Sequence, residues 1–213
     1  MHEEVLPGNS LDLLKNMESG DLSVWRGWTL AGGTGLALYY GHRLSVDLDF
    51  FRPDVVSLDN LLKRLQALGA CEILQQYAHT LTVVLRGVKL SFFVVTDPFV
   101  GTPQSYRCFA LADVFDIGLM KLAAIAGRGS RKDFVDLFFI LRDNHRLDAL
   151  MDALELKYTD RKADKYHVLR SLTWFEDAEN EPMPRMLMPF DWDACKSFFC
   201  RAARKIILPD KLG

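Results

Sequence analysis

The chain lacks the features that mark membrane, zinc-binding and disulfide-stabilised proteins. None of its apolar runs reaches the ~20 residues that span a bilayer. Its four cysteines show no CxxC spacing and no paired histidines, so we expect no zinc site. The first residues are acidic and polar, unlike a targeting segment. We therefore expect a cytoplasmic protein with reduced thiols and no membrane association.

The chain also lacks a strong charge of either sign. Its 26 Lys and Arg against 28 Asp and Glu give a net charge of -2, so any nucleic-acid surface would have to be local. It contains no internal repeat and no low-complexity tract. A hydrophobic content of 49% over 213 residues is enough to bury a substantial core, which predicts a globular protein.

The predicted elements change in kind near residue 100. In the first hundred residues, helices are predicted over 10–17, 34–40 and 58–68, and strands over 24–31, 46–51, 73–77, 80–85 and 88–95. After a breaker segment at 97–103, helices are predicted over 111–127, 131–144, 147–156, 162–178 and 192–207. We therefore predict an α+β protein with a mixed-sheet lobe over residues 1–100 and a helical lobe over residues 101–213.

A glycine-rich turn follows the strand predicted over 24–31. Gly32 and Gly33 end this strand, and Thr34 is placed to cap the next helix. Glycines let a backbone approach a ligand closely, and free N–H groups at the start of a helix attract anions. The turn therefore predicts phosphate binding by Gly32, Gly33 and Thr34.

Two aspartates alternate on the next predicted strand. Asp47 and Asp49 are two residues apart, which places both on one face. Neighbouring carboxylates repel each other unless a cation lies between them, and Mg²⁺ binds one or two carboxylates together with water and phosphate oxygens. We predict a metal site for Mg²⁺ or Mn²⁺ here, with an ordinary solvent-exposed strand face as the alternative. Beside a phosphate-binding turn, such a pair indicates phosphoryl or nucleotidyl transfer.

Residues 30–51 read LAGGTGLALYYGHRLSVDLDFF, which resembles the AbiEii/AbiGii toxin family of nucleotidyltransferases, a branch of the polymerase-β-like superfamily. A later block, KLAAIAGR at 121–128 and KDFVDL at 132–137, is similar to the same family. The likeness extends over roughly residues 11–199. It implies a nucleotidyltransferase-like fold in the first lobe and a nucleoside triphosphate (NTP) as co-substrate. It also implies an acceptor hydroxyl on RNA such as tRNA or on protein, and a toxin role neutralised by an antitoxin.

Candidate cations and a further acid come from the same two blocks. Arg43 steers the triphosphate or is a simple loop cation, and Ser45 is a candidate for nucleotide binding. In the family resemblance, the lysine and aspartate that match Lys121 and Asp133 lie beside the nucleotide pocket. We predict that Lys121 binds phosphate, that Asp133 orients it or acts as an additional acid, and that Arg128 supports both.

A structural alternative exists for these helix charges. Lys121 and Arg128 are seven residues apart on one helix face, and Asp133 and Asp136 are three apart on the next helix. A buried lysine without an anion is costly, so the four charges are equally well explained as partners of one another where the two helices meet. The two roles are compatible with each other.

One position departs from the family pattern. Polymerase-β-like transferases usually add a third carboxylate from a neighbouring strand, which completes a two-metal site. The matching position is Ser91. Three alternatives follow from this difference: one-metal chemistry, a third acid from elsewhere in the chain, or a site that binds nucleotide without turnover.

Overall fold

The computed structural model describes residues 1–19, 21–143, 145–159 and 164–206. Its strands are β1 Thr29–Ala31, β2 Leu48–Arg52, β3 Cys71–Tyr77, β4 Thr80–Leu85, β5 Val88–Val94, β6 Gln104–Tyr106 and β7 Phe109–Leu111. They form one sheet in the order β3-β4-β5-β2-β1-β7-β6. The pairs β1–β7 and β2–β5 are parallel and the other neighbours antiparallel. The sheet is therefore mixed, as predicted.

The α-helices lie before, between and after the strands. They are α1 Gly8–Glu18, α2 Gly32–Tyr40, α3 Leu58–Ala67, α4 Val114–Arg128, α5 Arg131–Arg142, α6 Leu147–Lys157, α7 Lys165–Ser171, α8 Glu176–Glu179 and α9 Trp192–Arg204. Short 3₁₀ turns occur at Glu3–Val5 and Leu22–Val24. Helices alone follow β7 in the described part of the chain. The α+β class is confirmed.

Local sequence accounts for several of these elements. The Ser57 side chain accepts a hydrogen bond from the Asn60 N–H and caps α3, whose leucines recur at helical spacing and are buried. Arg86 and Gly87 both have positive φ, at 52° and 74°, and join β4 to β5. Two such residues give the tight turn that matches the twist of a hairpin.

The two faces of β2 and β5 have different surroundings. Phe50 of β2 and Phe92 of β5 stack at 5.1 Å between ring centroids, and Trp28 meets Phe92 edge-on at 5.1 Å. These rings belong to a core that also contains the buried leucines of α1 and α3. Because side chains alternate along a strand, Asp49 and Ser91 project from the opposite face. That face therefore carries the polar residues of the candidate site.

The start of the predicted strand 24–31 is wrong. Only Thr29–Ala31 is extended, and Leu22–Val24 forms a 3₁₀ turn. The Asp21 carboxylate accepts the Ser23 N–H and stabilises this turn. A local side-chain hydrogen bond therefore overrides the apolar pattern that favoured a strand.

The sheet continues beyond the breaker segment at 97–103. β6 and β7 form a hairpin, and β7 pairs with β1, so Leu111 ends a strand instead of beginning a helix. α4 begins at Val114, and the Asp113 carboxylate caps it by accepting a hydrogen bond from the Phe115 N–H. The predicted division between residues 100 and 101 stays a prediction, and the strands of the second segment complete the sheet of the first.

The helix predicted over 162–178 is two helices. α7 ends at Ser171 and α8 begins at Glu176. The Asp164 carboxylate accepts the N–H groups of Tyr166 and His167 and caps α7. Residues 144, 162, 163 and 207, which fall at predicted helix ends, lie outside the described residues. Within the described residues, every helix is too short or too polar to cross a bilayer.

Candidate active site

The glycine turn brings a backbone close to two charged side chains. α2 begins at Gly32 directly after β1, and Gly32 has the left-handed φ of +65°. A Cβ on Gly32 would lie 3.1 Å from Asp49 Oδ2, and a Cβ on Gly33 would overlap the Arg43 guanidinium. The glycines are therefore needed for the close approach of these charges as well as for the turn.

Thr34 does not cap α2, which corrects the sequence prediction. The N-cap of α2 is Ala31, and Thr34 lies inside the first turn. Thr34 is buried, its Oγ1 shares a hydrogen bond with Ser45 Oγ at 2.7 Å, and it donates to the backbone carbonyl of Asp47. These contacts hold the segment before β2 against α2, and through it the position of Asp47.

Asp47 and Asp49 lie on the side of β2 that faces the cleft. β2 begins at Leu48, so Asp47 precedes the strand that was predicted to contain it. Burial and the negative charge of Asp47 raise the pKa of Asp49, against a hydrogen bond from Ser91 that lowers it. In the described part of the chain, the cation nearest to Asp47 within ion-pair range is Lys89, at 4.0 Å and half exposed. The pair therefore lacks strong neutralisation by the protein.

Ser91 lies beside Asp49, on the adjacent strand. The parallel register of β2 and β5 pairs Asp49 with Ser91, which is buried. No group of three or more His, Cys, Asp or Glu suited to a metal occurs among the described residues. Within these residues, Asp47 and Asp49 therefore form a pair without a third carboxylate grouped beside them.

The charges of α4 and α5 pair where the two helices meet. Lys121 Nζ is 2.7 Å from Asp133 Oδ1 and 2.6 Å from Asp136 Oδ2. Arg128 donates to Asp133 from Nε at 2.8 Å and from Nη2 at 3.1 Å. The structural alternative drawn from the sequence is thus confirmed. It does not exclude contact with a ligand, because the Arg128 side chain is 59% exposed.

Asp136 is the centre of this network, and its contacts with Arg43 and His42 were missed by sequence reasoning. Arg43 donates to both of its carboxylate oxygens, from Nε at 2.7 Å and from Nη2 at 2.8 Å. His42 Nε2 lies 2.8 Å from Oδ1, and both His42 and Asp136 are fully buried. Arg43 is therefore a buried partner of Asp136 and not a free loop cation. The sequence carried one signal for this, the position of Asp136 three residues after Asp133.

The electrostatics of this network differ from those of the Asp47–Asp49 pair. Burial alone would raise the pKa of Asp136, but Lys121 and Arg43 hold it well below its usual range. Burial likewise acts against ionisation of Asp133, and Lys121 and Arg128 outweigh it, so its pKa is also lowered. Both carboxylates are thus ionised at neutral pH, and they fix Lys121 between them.

All the residues predicted for the site line one cleft of about 540 Å³. These are Gly32, Gly33, Thr34, Arg43, Ser45, Asp47, Asp49, Lys121, Arg128 and Asp133. Sequence reasoning missed other lining residues, among them Phe51, Gln75, Lys89, Phe93 and Lys132. The structure brings the predicted set together, while the chemical role of each residue stays a prediction.

A family model matches most of this chain. The model described as "Nucleotidyl transferase AbiEii toxin, Type IV TA system" matches residues 26–96 and 88–204. The chain is also 35% identical over 191 residues to the uncharacterized protein aq_aa25 of Aquifex aeolicus (strain VF5), and the match covers 87% of this chain and 91% of that protein.

Solved structures share the fold. MenT4, the nucleotidyltransferase toxin Rv2826c of Mycobacterium tuberculosis H37Rv, matches with a TM-score of 0.56 and 16% identity over 93% of this chain and 84% of that one. JHP933 from Helicobacter pylori matches with a TM-score of 0.54 and 19% identity over 95% and 89%. These TM-scores show a shared fold, and the family-model match shows the family. The chain belongs to the AbiEii nucleotidyl transferase toxin family.

Proposed function

We propose that the protein is a metal-dependent nucleotidyltransferase that moves a nucleoside monophosphate from an NTP to an acceptor hydroxyl. The observation that carries this proposal is the poorly neutralised Asp47–Asp49 pair, which faces a cleft that also holds Lys121 and Arg128. Carboxylates that repel each other in a cleft with cations nearby are suited to a metal ion bound together with phosphate.

The donor set fits Mg²⁺ or Mn²⁺. Asp47 and Asp49 offer hard oxygen ligands, and the rest of the coordination shell is left for water and phosphate oxygens, as Mg²⁺ prefers. A bound ion supplies charge neutralisation at the triphosphate oxygens. Protonation of Asp49, which its raised pKa favours as pH falls, would compete with that ion.

The residues of the chain bind and orient the NTP. Backbone N–H groups at Gly32 and Gly33 bind phosphate oxygens at the start of α2. Lys121, held by Asp133 and Asp136, and Arg128, held by Asp133, offset negative charge that develops in the transition state. Arg43 and Ser45 support these residues indirectly, since Arg43 contacts Asp136 and Ser45 contacts Thr34.

The transfer is an in-line displacement at the α-phosphorus. The acceptor hydroxyl oxygen forms a bond to this phosphorus as the bond to the bridging oxygen breaks. Pyrophosphate leaves with the bridging oxygen, and the hydroxyl proton is released to water. RNA such as tRNA and protein are the two acceptor classes that we consider, and a toxin of this kind would be neutralised by an antitoxin protein in the cytoplasm.

A second candidate function follows from Ser91. Its hydroxyl stands beside Asp49 where a third carboxylate is expected, and a hydroxyl cannot neutralise a second metal ion. A protein with this site would bind an NTP with one metal ion and release it unchanged. Such a protein would act through interaction with a partner.

Turnover separates the two functions. The purified protein is incubated with Mg²⁺, α-labelled NTPs, and RNA or protein from a bacterial extract. The enzyme is supported if label enters a macromolecule and pyrophosphate is released by wild type but not by Asp47→Ala/Asp49→Ala. Metal-dependent NTP binding without either product would support the binding protein instead.

The toxin role has its own test. Induced expression is expected to arrest growth, and Asp47→Ala/Asp49→Ala is expected to restore it at an equal protein level. Asp12→Ala/Asp54→Ala serves as the control, because it removes two exposed carboxylates and changes the net charge equally. Growth arrest that survives the loss of both Asp47 and Asp49 would contradict a toxic nucleotidyltransferase.

A further inference from the structure

Lys89 of β5 lies beside Asp47, the residue that precedes β2. The parallel register pairs Leu48 with Leu90, so the residues directly before these two are neighbours as well. Lys89 Nζ is 4.0 Å from Asp47 Oδ2, and both residues line the cleft. Asp47 is the only carboxylate within ion-pair range of Lys89 among the described residues. The sheet itself therefore brings one cation to the aspartate pair.

The cations that α4 contributes to the cleft are bound to other carboxylates. Lys121 Nζ lies 2.7 Å from Asp133 Oδ1 and 2.6 Å from Asp136 Oδ2. Arg128 donates to Asp133 as well. The charges of both cations are thus matched within the network of α4 and α5. Lys89 differs from them because its partner is a predicted metal ligand and its side chain is 47% exposed.

The net charge of this site equals that of a two-metal site. A two-metal transferase site holds two divalent ions between three carboxylates, of which this chain has Asp47 and Asp49. Ser91, at the third position, is neutral and buried. The loss of one carboxylate together with one divalent ion removes one net positive charge, and the Lys89 ammonium restores it. One divalent ion with Lys89 therefore presents the same net charge to a phosphate as two ions with three carboxylates.

The Lys89 side chain is free to move towards a ligand. Lysine carries a compact ammonium with three donors on a flexible four-carbon stem. About half of this side chain is exposed, and its 4.0 Å separation from Asp47 Oδ2 is longer than a hydrogen bond. The ammonium can therefore turn from Asp47 to a phosphate oxygen without breaking a strong contact.

We propose that Lys89 takes the place of a second metal ion, so that transfer proceeds with one divalent ion at Asp47 and Asp49. The ammonium donates hydrogen bonds to the α-phosphate and offsets the negative charge that develops there in the transition state. It stays protonated, forms no covalent bond and moves no proton, so the bonds made and broken are those of the proposed function. The inference rests on that function, and it explains how turnover is compatible with Ser91.

The first test counts metal ions. Mn²⁺ is titrated by electron paramagnetic resonance into the protein with the α,β-methylene analogue of each NTP, and the analogue alone gives the background. Wild type is expected to bind one Mn²⁺ per nucleotide complex. Lys89→Met/Ser91→Asp, which restores the third carboxylate and removes the competing ammonium, is expected to bind two. Two ions in the wild-type complex would overturn the inference.

The second test measures two changes of opposite sign in Lys89→Met. Without nucleotide, this variant lacks a positive charge beside Asp47 and is expected to bind Mn²⁺ about tenfold more tightly. It is also expected to transfer label from an NTP about a hundredfold more slowly, because a donor to the transition state is lost. A general loss of structure would weaken metal binding instead. Unchanged Mn²⁺ affinity, or transfer at the wild-type rate, would overturn the inference.

An exposed lysine on α3 provides the matched control. Lys63 lies outside the lining of the cleft, so Lys63→Met removes the same charge without changing the surroundings of Asp47. This variant is expected to keep the wild-type Mn²⁺ affinity and transfer rate. Circular dichroism shows whether each variant is folded, and the number of ions bound by wild type depends on no variant.

Failure of the inference differs from failure of the proposed function. In one case, Mn²⁺ binding and label transfer depend on Asp47 and Asp49, but wild type binds two ions or Lys89→Met behaves like wild type. That result leaves the transferase in place and removes the role of Lys89. In the other case, wild type binds no Mn²⁺ above the background, which contradicts the proposed function and this inference together.

Discussion

Two pairs of aspartates lie beside the same cleft and meet opposite surroundings. Asp133 and Asp136 are buried among Arg43, Lys121 and Arg128, and their pKa values are lowered. Asp49 is half-buried next to Asp47 with a weaker cation environment, and its pKa is raised. The same side chain is thus stabilised as an anion in one pair and destabilised in the other.

The two surroundings indicate different roles for the two pairs of aspartates. A carboxylate whose oxygens are all occupied by protein cations fixes those cations in place, which is the role of Asp136 towards Arg43 and Lys121. A pair of carboxylates that protein cations neutralise poorly keeps a negative charge that favours the binding of an external cation. The pKa shifts of Asp49 and Asp136 have opposite signs, and they distinguish a predicted metal ligand from a residue that holds the cations of the cleft in place.

The largest loss of stability is expected when Asp136, the central carboxylate of the neutralised Asp133–Asp136 pair, is removed. Asp136→Ala leaves Arg43 and Lys121 buried with fewer partners, and removing one side of a buried ion pair costs about 3–5 kcal/mol of the free energy of unfolding. Urea denaturation followed by circular dichroism measures this loss. The exposed-site variant Asp12→Ala is the control, and a loss equal to that of the control would contradict the central position of Asp136.

A smaller loss of stability is expected when Asp133, the other carboxylate of this pair, is removed. Asp133→Ala leaves Lys121 with Asp136, and Arg128 is already 59% exposed and gains water as a partner. We expect a loss of about 2 kcal/mol, below that of Asp136→Ala, in the same denaturation experiment. A larger loss for Asp133→Ala than for Asp136→Ala would show that the network is centred on Asp133.

The smallest change in the free energy of unfolding, and the only increase among these three variants, is expected from a substitution in the Asp47–Asp49 pair. Asp49→Asn removes the repulsion from Asp47 and raises the free energy of unfolding at pH 7 by up to about 1 kcal/mol. Because the folded-state pKa of Asp49 is raised, the wild-type protein takes up a proton on that group as pH falls and regains the difference. The gain should therefore shrink as pH falls through the raised folded-state pKa.

Denaturation curves at pH 7 and near the ordinary pKa of a carboxyl group check this sign. A variant that is less stable than wild type at pH 7, or whose gain grows on acidification, would show that Asp49 is stabilised as an anion. That outcome would remove the distinction between the two pairs.

The parts of the site that were predictable from sequence are those that short sequence patterns encode. The glycine turn and the alternating Asp47 and Asp49 are each encoded within a few residues. Lys121 and Arg128 were placed beside them by the family resemblance, and their helix spacing predicted their pairing with aspartates. All these residues line the cleft. The α+β class followed for the same reason, since strand and helix periodicities are local properties.

The rest depends on which elements meet, which local patterns do not encode. Arg43 and Asp136 are 93 residues apart, so their pairing is visible only in three dimensions. The hairpin β6–β7 was missed because its strands are three residues long and follow a breaker segment. The β-bulge between Ile73 and Gln75 of β3 depends on register against β4, which no property of β3 alone specifies.

The central claim is that Asp47 and Asp49 form a cation site for NTP binding. Its most direct test is calorimetric titration of each NTP into wild type and Asp47→Ala/Asp49→Ala, with and without Mg²⁺, with Asp12→Ala/Asp54→Ala as the charge-matched control. We predict Mg²⁺-dependent binding by wild type and control, and its loss in the double variant. Equal NTP binding by all three proteins, or binding by wild type that is indifferent to Mg²⁺, would contradict the claim.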